Sequence, residues 1–241
     1  LRRKEIQVSD YLPQGKRQRM YKIKYSEDNM NVELTAKTSP ERDMSIEEYV
    51  IFCARVSSPD NRLNNGTAPK LMKYLIDHKH LSPFEMVSFA FEIETSRAIA
   101  QQLIRHRSFS FQEFSQRYAK VLAVEPVEHR FEHETNRQSS SQTVTDRKLN
   151  SISDDAISHS FMAYEELLEA GVAKETARMV LPLATTSTLV MHGTLRSWIH
   201  FLDQRCDVHA QKEIRNVAFA IRNILIEECP WLAKSQNWSL E

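Results

Sequence analysis

The chain has 241 residues, enough to bury a substantial core as one large domain or two small ones. Its 32 basic and 32 acidic residues balance, so no global field draws it to nucleic acid or an anionic membrane, and any anion binding must be local. Three scattered cysteines without a CxxC pair exclude a disulfide framework, and four glycines leave neither a GxGxxG fingerprint nor a P-loop.

Residues 1–30 are polar with basic patches (KRQRMYKIK) and predict a basic N-terminal tail or peripheral hairpin. No apolar h-region opens them, so no secretory signal is expected. Asn31 to Thr38 alternates and predicts a strand. Ser45 and Glu48 form a capping-box pattern for a helix through Ile46–Val56, with Pro59 beyond it. A second helix is predicted over Pro69–Lys79, with Leu71, Tyr74, Leu75 and His78 on one stripe. Val87, Phe89, Phe91 and Ile93 then alternate with Ser88, Ala90, Glu92 and Glu94, the strongest strand pattern in the chain. Ser96 to Arg105 predicts a helix with Ile99, Leu103 and Ile104 on its apolar side.

Residues 125–154 are Ser- and Gln-rich, lack periodicity and predict a long exposed loop. His129 and His133 stand four apart, a spacing open to two ligands on a helix face. The segment is charged and lacks HExxH, so a solvated stretch is favoured and no metal is expected. Asp155–Ala170 predicts a helix stopped by Gly171, and a shorter one follows over Ala173–Val180. ATTSTLVMHG favours a strand by its β-branched content. Helices over Thr194–Gln204 and His209–Glu228 close the chain, with Pro230 ending the second. The order predicts an α+β fold, helices packed around a small, mainly antiparallel sheet, with residues 31–241 as a single domain. No 18-residue apolar run exists, so no membrane span is expected, and the cysteine usage points to a reducing, cytoplasmic compartment.

The chemistry concentrates in RHRSFSFQEFSQRY, Arg105 to Tyr118. Arg105 and Arg107 end a helix, where the macrodipole favours cations, but His106 gains nothing from that. Arg178 and Arg205 adjoin apolar runs, where a guanidinium is costly unless paired. In a chain of zero net charge these arginines imply bound anions or dedicated carboxylates, and the planar fork of Arg suits phosphate. The Ser108-Phe109-Ser110-Phe111 alternation predicts an extended segment tethered by its phenylalanines, with the serines towards ligand or solvent. Glu113 and Ser115 share a face. Ser115 has no legible Ser–His–Asp arrangement to activate it, which favours a ligand contact over a nucleophile.

This stretch resembles the signature of the flavin-dependent thymidylate synthases, an RHR triplet and a Ser after seven intervening residues. The likeness continues in family order through ARVSSP (Ala54 to Pro59), HKHLSPFE (His78 to Glu85), ETARMVLPL (Glu175 to Leu183), LRSWIHFLDQRCDVHAQKEI (Leu195 to Ile214) and CPW (Cys229 to Trp231). The resemblance implies a homotetramer with FAD sites shared between subunits. It also implies NADPH as reductant, methylenetetrahydrofolate as carbon donor, and conversion of dUMP to dTMP. By position, it places Ser82, Arg105, His106, Arg107, Glu113, Thr194, Leu195, Arg196 and His200 at flavin contacts. It places Gln102, Arg105, Glu113, Phe114, Ser115, Gln116, Arg117, Arg178 and Arg205 at dUMP, with Arg205 activating the pyrimidine.

Gln112, Gln116, Met86 and His200 depart from the residues common in the family, where Asn, Gly, His and Asn are frequent. A competing reading is a nucleic-acid-binding module built on the basic N-terminus and the Arg/Phe segment. The charge balance and the lack of a nucleic-acid fold signature oppose it, and neither a nucleic-acid nor a membrane partner is expected.

Overall fold

The computed structural model describes residues 24–25, 30–121 and 123–240. Apart from Lys24–Tyr25, the basic N-terminal tail expected over residues 1–30 lies almost wholly outside them. The chain divides into two compact units.

The larger unit comprises Met30–Glu94, Ile99–Glu113 and Thr188–Glu241. Its sheet takes strands β2 (Asn31–Lys37), β3 (Ser88–Ser96), β4 (Ser110–Glu113) and β8 (Thr186–Thr194) in the order β2-β3-β8-β4. β2 lies antiparallel to β3 with Leu34 opposite Phe91, and β4 antiparallel to β8 with Ser110 opposite His192. The alternation read in β3 is in part a burial alternation: Phe89, Phe91 and Ile93 are fully covered and Glu92 is exposed, but Ala90 on the opposite side is also buried.

Helices α1 (Ile46–Ala54), α2 (Ala68–Asp77), α3 (Arg97–Leu103), α6 (Leu195–Arg205), α7 (Lys212–Glu228) and α8 (Pro230–Gln236) supply the rest of this core. Trp198 of α6 is fully buried, stands edge-on to Phe91 at 4.9 Å, and donates its indole N–H to the Phe89 carbonyl at 3.2 Å. The Ser45–Glu48 capping box forms as expected and starts α1.

Three expectations change here. The buried stripe of α2 is Ala68, Met72, Leu75 and Ile76, not Leu71, Tyr74, Leu75 and His78. Tyr74 and His78 point outward and stack on each other at 3.9 Å. Ile104 is not on a buried face, because α3 stops at Leu103 and Ile104 starts the following turn, 42% exposed. α7 begins at Lys212 rather than His209, since the Asp207 carboxylate accepts the His209 N–H at 2.8 Å and holds a turn there. Pro230 opens α8, where its missing N–H costs nothing.

The smaller unit includes Thr95–Ala98 and Phe114–Ser187. It holds β1 (Lys24–Tyr25) parallel to β5 (Ala123–Val124), the hairpin of β6 (Arg130–Glu132) and β7 (Ser140–Thr143), and helices α4 (Arg147–Glu169) and α5 (Lys174–Ala177). Val121, Val124, Ile157, Phe161, Tyr164 and Ala177 form its core.

The stretch 125–154 is therefore not a loop throughout. Asp146 caps α4 by accepting the Lys148 N–H at 2.8 Å, so the helix begins eight residues earlier than the Asp155 expected from the apolar pattern. The serines that hid it return their hydroxyls to the helix, Ser151 to the Lys148 carbonyl and Ser153 to that of Asn150, both at 2.9 Å. His129 hydrogen-bonds Ser153 at 2.7 Å, and the His133 ring accepts the backbone N–H groups of Thr135 and Asn136, so the pair lies at a hairpin and not on a helix. Gly171 ends α4 at φ +84°, the left-handed stop its position predicted. Among the described residues no helix is long and apolar enough to cross a membrane.

Candidate active site

The RHR segment follows α3 and is anchored by the phenylalanine that comes next. Phe109 is buried, edge-on to Trp198 at 4.5 Å and near Phe201 at 6.1 Å. Phe111 is half-buried beside it at 6.3 Å, so the predicted tether holds. The Ser197 hydroxyl on α6 donates to the Ser108 carbonyl at 3.3 Å and ties down the turn between them. With the backbone held, Arg105 and Arg107 project into solvent and make no hydrogen bond or ion pair among the described residues.

His106 turns the other way. Its Nε2 accepts the Nε–H of Arg205 at 2.9 Å, and its ring stands edge-on to Phe201 at 5.0 Å. Burial first, then the charges of Arg205 and His200, push its pKa down to about 4, so the imidazole is neutral at physiological pH. Burial also lowers Arg205 from the ordinary arginine value, though its guanidinium keeps its proton. Gln102 donates its amide to the Gln211 side-chain oxygen at 2.7 Å, and the Gln211 amide donates to Glu213 at 2.9 Å. His200 is exposed and paired with Gln204 at 3.0 Å.

A cavity of about 440 Å³ in the same unit is lined by Leu75, Lys79, His80, Ser82, Pro83 and Arg196, with Ala54 and Leu81. Its Lys79 and His80 are placed by the end of α2, and its Arg196 by the first turn of α6. The N–H of Lys79 returns to the Ile76 carbonyl at 3.1 Å and that of His80 to Leu75 at 2.9 Å, with Lys79 left-handed at φ 57°. This is a Schellman stop with Lys where Gly is usual. Arg196 forms an ion pair with Glu85. The Thr194 hydroxyl accepts the Ser197 N–H at 3.3 Å and caps α6. The Leu195 side chain is in the core and its N–H donates to the Val87 carbonyl at 2.8 Å. Size and donor set (two cations, an imidazole and a hydroxyl without a glycine cradle) fit part of a diphosphate-bearing cofactor such as FAD.

Glu113 ends β4 in the larger unit, opposite Leu189, and the other predicted residues belong to the smaller unit. Gln116 is 2% exposed; its oxygen accepts from Arg97 at 2.6 Å while its amide nitrogen has no partner among the described residues. Arg117 pairs with the Glu175 carboxylate at 3.3 Å, and the Arg178 Nε–H donates to the Glu175 carbonyl at 3.3 Å, so both guanidiniums meet at one residue. Phe114 and Ser115 are exposed. The Ser115 carbonyl accepts two backbone N–H groups at 3.0 Å, and its hydroxyl makes no hydrogen bond among the described residues. Sequence reasoning missed Glu85, Glu175 and Gln211 as partners. Each lies inside a segment quoted for the resemblance, but nothing local marks which arginine or glutamine it meets.

A family profile described as "Thymidylate synthase complementing protein" matches residues 23–231. The chain is 43% identical over 215 residues to "Probable flavin-dependent thymidylate synthase" of Paramecium bursaria Chlorella virus 1, covering 87% of this chain and 100% of that protein. It is 42% identical over 217 residues to the flavin-dependent thymidylate synthase of Synechocystis sp., again covering 87% and 100%. Among solved structures it is similar to the UMP/dUMP methylase PolB of Streptomyces cacaoi bound with 5-Br UMP. There the TM-score is 0.77 at 28% identity, covering 89% of this chain and 96% of that one. The anchored RHR segment and the Arg205 it engages thus lie in a chain that belongs to the flavin-dependent thymidylate synthase family.

Proposed function

We propose that this chain is a thymidylate synthase that methylates dUMP to dTMP, with FAD as its bound cofactor, methylenetetrahydrofolate as carbon donor and NADPH as reductant. The observation that carries the reading is the arrangement of cations in the larger unit: Arg105 and Arg107, exposed and without an ion pair among the described residues, flank a histidine that holds Arg205 by its Nε–H. Arg205 then offers its terminal nitrogens to the uracil, where a fixed positive charge stabilises the N3 anion and lowers its pKa. Arg105 and Arg178 neutralise the nucleotide phosphate, and Gln102 and Arg117 orient the nucleotide, aided by Phe114, Ser115 and Gln116. Ser82, Arg105, His106, Arg107, Glu113, Thr194, Leu195, Arg196 and His200 hold the flavin. The bound flavin supplies hydride transfer, while the residues bind, orient and supply charge. We further propose a cytoplasmic homotetramer with flavin sites shared between subunits, one catalytic domain over residues 31–241, and no nucleic-acid or membrane partner.

The test is direct. Purified protein is expected to show a flavin spectrum, or acquire one with FAD, and to form dTMP from dUMP only when methylenetetrahydrofolate and NADPH are both present. A protein that takes up no FAD and forms no dTMP overturns the reading.

A further inference from the structure

We infer that His106 is a positioning residue for Arg205: its imidazole, with the proton on Nδ1, accepts the Arg205 Nε–H and fixes which edge of the guanidinium faces the substrate. The inference rests on the proposal that Arg205 acts on the pyrimidine.

The hydrogen-bond accounting leaves one arrangement. Arg has donors only, so the ring atom 2.9 Å from its Nε must present a lone pair, which makes Nε2 the acceptor and Nδ1 the protonated nitrogen. Using Nε–H locks the guanidinium at its stem and leaves the terminal edge, whose two parallel N–H groups suit a planar, bidentate partner. A second proton on the ring would oppose two N–H groups. The charged groups acting on the imidazole are Arg205 and His200, both on α6 and both opposing that proton, and burial opposes it more strongly still. Packing holds the ring plane: Phe201 stands edge-on at 5.0 Å and Phe109 at 6.3 Å. His106 and Arg205 lie 99 positions apart, so the RHR segment both presents its own cations and aims an arginine contributed by α6. The Nδ1–H remains as the ring's only polar contact for a cofactor.

The experiment uses the full chain with FAD bound. Gln places its side-chain oxygen where the imidazole Nε2 stood, whereas Leu fills the space without an acceptor. His106→Leu is expected to bind FAD more weakly and, with FAD at saturating concentration, to lose kcat for dTMP formation on the order of 100-fold, with a smaller change in KM for dUMP. His106→Gln is expected to recover most of that loss. In ¹⁵N-histidine-labelled wild type at pH 7, the His106 Nε2 signal, assigned by its absence in His106→Gln, is expected at the unprotonated position and Nδ1 at the protonated one. Wild-type turnover in His106→Leu, equal losses in the Leu and Gln variants, or a protonated Nε2 would each overturn the inference. Arg205→Ala separates the two levels. Full turnover in that variant removes the role proposed for Arg205, whereas an inactive Arg205→Ala beside a fully active His106→Leu removes the role of His106 alone.

Discussion

The ring of Phe109 lies so close over Gly193 that a Cβ added there would stand 2.4 Å from the phenylalanine Cδ1. No pair of carbons shares that space, so the glycine of β8 is what lets the anchor of the RHR segment reach Trp198. Gly193→Ala is expected to displace Phe109 and destabilise the protein by about 1–3 kcal/mol, the usual cost of overpacking a core. Thermal unfolding reads the loss. Turnover is expected to fall as well, because His106 and Arg107 ride on the displaced segment. A variant with unchanged midpoint and activity would show that Phe109 has room to move.

Lys79 occupies the left-handed position of the stop that ends α2. Lys79→Gly is expected to remove about 1 kcal/mol of backbone strain and raise the unfolding midpoint by ~2–4 °C. Lys79→Ala keeps the strain and is expected to give no such rise. Both variants lose a cation from the cavity and are expected to bind FAD more weakly in titrations followed by flavin fluorescence. Equal midpoints for the Gly and Ala variants would show that the left-handed lysine is not strained.

Glu47 is buried at the start of α8, where its carboxylate oxygens accept the Leu232 N–H at 2.7 Å and the Trp231 N–H at 3.2 Å. Burial outweighs these bonds and raises its pKa from 4.5 to about 7. The folded state therefore binds a proton more readily than the unfolded chain. Its contribution to stability is fully present below pH 4.5 and is lost as pH rises through about 7. The midpoint of the wild type is expected to fall between pH 5 and 8 more steeply than that of Glu47→Gln, which cannot ionise. Parallel pH profiles for the two proteins would exclude Glu47 as the titrating group. The neighbouring Cys229 stays a thiol throughout, since burial, with Glu47 and Glu228 close by, pushes its pKa up.

The polar stretch over residues 125–154 is expected to exchange its amides unevenly. Amides from about Ser151 onward are intrahelical donors in α4 and are expected to be protected, whereas residues 133–139, which join β6 to β7, are expected to exchange fast. Uniformly fast exchange through residue 154 would place the start of the helix where the apolar pattern alone puts it.

Much of the architecture was legible because its causes are local. The capping box of Ser45 and Glu48 spans three residues, the alternation of Phe89, Phe91 and Ile93 reports one pleated strand, and Gly171 stops α4 at its own backbone angle. The start of α4 was not legible, because serines that bond back to their own helix look in sequence like a loop. Nor was the outward face of α2, where Tyr74 is apolar enough to suggest burial yet stacks on His78 in solvent.

The sequence by itself determined the α+β class, the strand and helix order and the family, since periodicity, caps and a run of motifs are written within a few residues of one another. Only the tertiary structure decided that the middle residue of the RHR triplet turns inward to hold Arg205. Only it decided that Gly193 serves Phe109, and that Arg117 and Arg178 converge on Glu175. Apart from the three-residue step from Glu175 to Arg178, those relationships join residues from 58 to 99 positions apart, and a side chain's partner at that range is set by how strands and helices pack, which no local pattern encodes.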